Sequence, residues 1–181
     1  RKGCMTEFVC HTSPIENAKM IFSSGKLLSA VNARGVPAEI LMKEDRNAAN
    51  DPIDFFKYVM LAWGNCQAGD RFVMERKMKR MPTKEDLGEN FTPGIRFYFK
   101  YDTLDKHPKA THDGFLPIKI LDEIILEEWL YAAIIPMEYK EEFETLVPDN
   151  LKSRIYYIEN DCKEIWDWSE KVYTFIEGLN V

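Results

Sequence analysis

Three short stretches of this 181-residue chain carry the residue types that do chemistry. The first is His11-Thr12-Ser13, which follows the apolar run Phe8-Val9-Cys10 and precedes a helix start. Side chains and free N–H groups at such a strand-to-helix junction commonly face a ligand. A histidine there is also commonly a satisfied structural residue. The second stretch is Phe97-Tyr98-Phe99. Successive strand residues point to opposite faces, so Phe97 and Phe99 share one face and Tyr98 takes the other. Core packing is the plain alternative to a stacking role. The third is Glu127-Glu128, ahead of the apolar run Trp129 to Ile135. A carboxylate entering an apolar strand is costly to bury unless it is paired. If both glutamates lie in the strand, one points to each face; at the strand's edge both are solvated charges. His107, His112 and Asp113 share a loop without HExxH or other ligand spacing, so no metal is expected.

The elements that must position these residues follow from the pattern around them. Phe8 to Cys10 reads as a buried strand. Ser13 is placed to cap the following helix, Pro14 fits its first turn, and Glu16 can close a capping box. Ile15, Ala18, Ile21 and Phe22 fall on one helical face, Gly25 ends the helix, and Leu27-Leu28 starts a second short element. Gly35-Val36-Pro37 marks a turn, and Ile40-Leu41-Met42 is too short to assign. Asp51 and Pro52 read as the start of a helix running to Trp63, apolar on most sides and stopped by Gly64-Asn65. Residues 70 to 78 fit a strand by alternation and a helix by composition. Pro82 to Pro93 is a loop.

Gly94 to Tyr101 is the clearest strand of the chain. Phe115 to Leu121 and Trp129 to Ile135 read as further strands, Pro136 to Leu146 as a helix and Arg154 to Ile158 as a strand. Ile165 to Ile176 closes the chain as a helix with Trp166, Val172 and Ile176 inward. The alternation is too irregular for a doubly wound sheet. The expectation is one α+β domain over residues 1–181.

Composition narrows the function classes. With 45% hydrophobic and 13% aromatic residues the chain can fill a core, which excludes disorder. No run approaches the ~18 apolar residues of a membrane span, and no secretory leader is visible. Cys4, Cys10, Cys66 and Cys162 show no paired spacing, so free thiols and a cytoplasmic setting are expected. The net charge of −6 is uneven. Residues 121–181 hold fifteen acidic and five basic residues, a net of −10, which leaves +4 on residues 1–120. Arg71, Arg76, Lys77, Lys79, Arg80 and Lys84 stand against one acidic residue in that stretch. A run of this kind is commonly a solvated face, but it leaves an anionic ligand such as nucleic acid open.

Taken together, His11-Thr12-Ser13, the apolar helix and Ser24-Gly25-Lys26-Leu27-Leu28-Ser29 resemble the opening motif of the ADP-ribosyltransferase superfamily. RNA 2′-phosphotransferases and the DNA-modifying ADP-ribosyltransferase toxins open in a similar way. Ile95 to Phe99 resembles a strand of those toxins, and Glu128-Trp129-Leu130-Tyr131 matches the superfamily's last signature, where Glu127 does not. The resemblance covers roughly residues 7–30 and 94–136. It implies a split, mainly antiparallel sheet and NAD as substrate, with ADP-ribose passing to a nucleic acid or protein acceptor.

Cleavage of the nicotinamide–ribose bond passes through an oxocarbenium-like ribose, which a carboxylate stabilises. By resemblance Glu128 takes that role, His11 bonds the adenosine ribose, Phe97 or Tyr98 stacks on nicotinamide, and Thr12 and Ser13 complete the cofactor contacts. The catalytic arginine of the toxins has two candidates, Arg34 and Arg46, neither in a matching motif. Residues 51–81 have no counterpart. The alternative is a non-catalytic nucleotide- or partner-binding module on the same fold.

Overall fold

The computed structural model describes residues 5–44 and 52–179. Cys4, Arg46 and the Asp51 cap lie outside the described residues. The chain is α+β, with a seven-stranded, mostly antiparallel sheet and a separate two-stranded one, as the sequence led us to expect.

Strand β1 (Phe8–Ser13) lies in the middle of the large sheet, between β3 (Tyr58–Trp63) and β4 (Ile95–Lys100). Beyond β3 come β6 (Ile118–Leu121) and the edge strand β5 (Ala110–Thr111). Beyond β4 come β8 (Ala132–Pro136) and the opposite edge, β9 (Ile155–Ile158), which pairs with β8 in parallel. The small sheet joins β2 (Lys26–Leu28) to β7 (Glu123–Ile125).

Helix α1 (Ile15–Ser24) buries Ala18 and Phe22 on the sheet. Phe22 packs against Phe97 and Phe143, with ring centroids 5.3 and 5.8 Å away. Gly25 ends α1 with φ +70°, a left-handed turn that glycine enters without penalty. Helices α2 (Ala30–Arg34) and α3 (Ala38–Glu44) follow, so Ile40-Leu41-Met42 is helical. The other helices are α4 (Ala68–Met78), the single turns α5 (Tyr101–Leu104) and α6 (Leu126–Trp129), α7 (Lys140–Leu146) and α8 (Ile165–Gly178).

Several sequence expectations are corrected. Ser13 does not cap α1: it is the last residue of β1, paired with Ile95, while Pro14 holds the cap position with no side-chain bond. Ladder pairing with β4 extends the strand through His11, Thr12 and Ser13. The segment ending at Trp63 is not one helix. A 3-10 turn over Ile53–Lys57 uses the Pro52 start, and the apolar run after it becomes β3. Val59 and Leu61 are buried and alternate with half-buried Tyr58, Met60 and Ala62, and a run apolar on both faces reads as a buried helix does. Residues 70–78 are helical. Phe115 is 79% exposed and stands in the turn before β6. On α8 it is Trp168, not Trp166, that is fully buried with Val172 and Ile176.

The deepest polar group of the fold was not singled out from sequence. Arg96 on β4 and Asp70 on α4 are both fully buried, with Nη2 and Nε of the arginine 2.6 and 3.0 Å from Oδ2 of the aspartate. The Gly94 N–H donates to Asp70 Oδ1 at 3.2 Å. Arg96 Nη1 donates to the Tyr98 hydroxyl, which donates in turn to the Gly64 carbonyl at 3.1 Å. Close packing accompanies the network: a Cβ on Gly94 would lie 2.6 Å from the Ser13 carbonyl oxygen. Removing one partner of such a pair leaves a buried unpaired charge. Asp70→Ala or Arg96→Ala is therefore expected to cost about 3–5 kcal/mol in urea unfolding. The double substitution Asp70→Leu/Arg96→Met should recover most of that. Single variants with the native midpoint would show that the pair contributes nothing.

Candidate functional site

The structure brings the first two chemical stretches together on paired strands and leaves the third outside that pairing. His11 lies opposite Phe97 in the β1–β4 register, with Thr12 and Ser13 opposite Arg96 and Ile95. Strand β8 runs antiparallel to β4, Ala132 opposite Tyr98 and Ile134 opposite Arg96. Residues before Ala132 therefore continue toward the Lys100 end of β4, and Glu128 sits past that end on α6. Glu127 and Glu128 are both exposed and belong to a helical turn, not to a strand entering the core. The Arg154 guanidinium donates to the carbonyls of Leu126, Glu127 and Leu130 and so holds that turn.

Phe97, Tyr98, Arg34 and His11 have other partners. Phe97 and Tyr98 are wholly buried, Phe97 against α1 and Tyr98 in the Arg96 network, so neither offers a ring face to a ligand in this arrangement. Arg34, at the end of α2, is exposed and ion-paired to Glu44 at 2.8 Å. The His11 Nδ1–H donates to the Met60 carbonyl at 3.1 Å. Burial lowers the His11 pKa below 6.5, the nearby Arg76 pushes the same way, and the Met60 bond opposes them. The half-buried ring is therefore neutral at pH 7, with Nε2 as an acceptor.

Glu128 has a different histidine as neighbour. His107 packs its ring 4.7 Å from that of Trp129 and accepts the Lys109 N–H at Nδ1, 3.0 Å away. Burial, with Lys109 beside it, holds the His107 pKa below 6.5, and Glu128 acts in the other direction. His112 contacts Asp105 at 2.8 Å. Among the described residues no group of three or more His, Cys, Asp or Glu side chains is placed to hold a metal. Cys10, Cys66 and Cys162 are free, and burial pushes the Cys10 thiol up to about 12, so it is no nucleophile at neutral pH. No helix of the described residues is long and apolar enough to cross a membrane.

Two charged features do form in three dimensions. Lys119, on β6, is buried with Nζ 4.3 and 4.7 Å from the ring centres of Tyr58 and Phe55, and 3.3 and 3.4 Å from carboxylate oxygens of Asp113 and Asp54. It ties the 3-10 turn and the loop before β6 onto the sheet. The sequence signal was a lysine between Ile118 and Ile120, where a buried charge demands partners. The second feature is the basic stretch. Arg71, Arg76, Lys77, Lys79, Arg80 and Lys84 are all exposed. Arg80 holds Asp86 through two nitrogens at 2.6 and 3.2 Å, and with the Thr83 N–H keeps that carboxyl well below the usual carboxylate range. Lys77 donates to Thr92 at 3.0 Å. Phe72 and Met81, 48% and 57% exposed, stand among these charges.

Comparison with protein-family models, curated proteins and solved structures matches none of them to this chain.

The two depressed histidines set a pH dependence. The unfolded chain takes up their protons first as pH falls through 6.5, so they favour folding above that pH and lose their contribution as pH drops toward the folded values. Thermal unfolding followed on both sides of pH 6.5 should show stability falling on the acid side, and His11→Gln with His107→Gln should flatten that slope. An unchanged slope in the double variant would assign the acid sensitivity to carboxylates instead.

Proposed function

We propose that this chain is a binding module that meets an anionic macromolecule, nucleic acid in the first instance, through the basic face of α4, and that it does not cleave NAD. The observation supporting this reading is the make-up of that face. Phe72, Arg76 and Lys79 are exposed and spaced four and three apart, so they line one side of α4 and its end. Arg71 and Lys84 flank them. Cationic groups beside an exposed aromatic ring suit a polyanion whose bases can stack. With −6 over the whole chain, the binding is weak and steeply salt-dependent.

Two observations support leaving NAD cleavage out. His11 pairs with Phe97 inside the sheet while Glu128 stands on α6 outside the strand register, and Phe97 and Tyr98 are sealed in the core. A second reading, ADP-ribosyl transfer, is favoured by the opening segment, where β1, α1, the Gly25 turn and β2 follow one another in the order the resemblance implies. It requires His11 and Glu128 to approach each other around a bound NAD.

One set of measurements separates the two. Titrating a fluorescent single-stranded oligonucleotide should give an affinity that falls with salt, with a log–log slope of about 0.7 per phosphate contact. Arg71→Glu/Arg76→Glu/Lys84→Glu should abolish binding; it spares Arg80 and Lys77, which hold their own loop. No retention by the native protein at low salt sinks the proposal. Nicotinamide release from NAD, tested with nucleic acid and protein acceptors, is expected to be nil. Release that is lost in Glu128→Gln and kept in Glu127→Gln would install the transferase reading.

A further inference from the structure

Resting on the basic-face reading of α4, we infer that its ligand is an unpaired strand of nucleic acid, held by a base stacked on the Phe72 ring. The packing of α4 decides which of its groups solvent meets. Asp70, Val73, Met74 and Glu75 are buried. Asp70 and Glu75 are the only carboxylates of Ala68–Met78, so every charge that α4 itself presents to solvent is positive. Among those charges stands one aromatic ring. Phe72 is 48% exposed, belongs to none of the three hydrophobic clusters and stacks on no other ring among the described residues. Arg71 precedes it, and Arg76 lies one turn on along the same side.

Paired and unpaired nucleic acid ask different things of such a face. A duplex keeps the faces of its bases stacked inside and presents phosphates and groove edges. It would meet Arg71, Arg76 and Lys79 and leave the Phe72 ring in water. An unpaired strand exposes base faces as well as phosphates, so one base can cover the ring while the cations hold the backbone beside it. Stacking then takes apolar ring surface out of water, which charge pairing alone does not. Only the unpaired strand uses both features of the face. Phenylalanine carries no hydrogen-bonding group, so this contact holds a base without choosing which one.

The test is fluorescence anisotropy with a labelled oligothymidine, set against relaxed circular duplex DNA, which has no open ends, counted per phosphate. The native protein should bind the strand about ten-fold more tightly than the duplex. Phe72→Ala should weaken strand binding about ten-fold, the scale of one lost stack, and leave duplex binding unchanged. Its salt slope on the strand should stay native, because the phosphate contacts remain. Phe72→Trp should restore the affinity. An abasic strand with the same phosphates should bind the native protein as weakly as oligothymidine binds Phe72→Ala. A ring with a merely structural role would not separate strand from duplex in this way. Equal binding of strand and duplex overturns the inference, as does a Phe72→Ala effect that is absent or shared by both ligands, or an abasic strand that binds like oligothymidine. With salt-dependent binding still present, those results leave the basic-face reading standing. No binding of either ligand at low salt overturns both.

Discussion

A guanidinium inside a sheet is the constraint on which the rest of this molecule turns. Strand β4 is flanked by β1 and β8 and covered on both faces, and Arg96 stands in its middle with no exposed surface. A lone charge there would be prohibitive, so a carboxylate has to come from outside the sheet. Asp70 supplies it from α4. The same aspartate takes the Gly94 N–H, and the Tyr98 hydroxyl links Arg96 to the Gly64 carbonyl after β3. One polar cluster therefore fixes α4, the start of β4 and the end of β3 relative to each other.

That arrangement shapes the functional reading. Tyr98 is spent on the network and Phe97 on the opposite core, so the aromatic strand is scaffold. With α4 held by its first turn, its later residues project Phe72, Arg76 and Lys79 outward. The antiparallel β4–β8 pairing then carries Glu128 toward the end of β4 away from Ser13. The consequence is a division of the surface. Basic side chains gather on α4 and the turn after it, while the net negative charge of the chain belongs to residues 121–181.

Much of the scaffold was legible in the residues. The β1–α1–Gly25–β2 opening, the strand over Ile95–Lys100, the loop from Pro82 to Pro93, the closing helix and the α+β class all come from local signals: runs, caps, glycine and period. Where local signals conflict, the reading fails for identifiable reasons. Tyr58 to Trp63 is apolar on both faces although only Val59 and Leu61 are fully buried, and periodicity alone cannot tell such a run from a buried helix. Ser13 has the chemistry of a cap, yet pairing with Ile95 in the ladder takes its backbone into β1.

Sequence by itself therefore determined the class of fold, the charge division between residues 1–120 and 121–181, and which residues had chemistry to offer. It did so because composition and short-range spacing belong to the chain whatever its fold. Tertiary structure alone decided that Asp70 meets Arg96, that Lys119 is caged by Phe55, Tyr58, Asp54 and Asp113, and that His11 and Glu128 stand apart. The Asp70–Arg96 and Asp54–Lys119 pairings join residues 26 and 65 positions apart in the chain. Their distances follow from strand order and register, which no local pattern encodes.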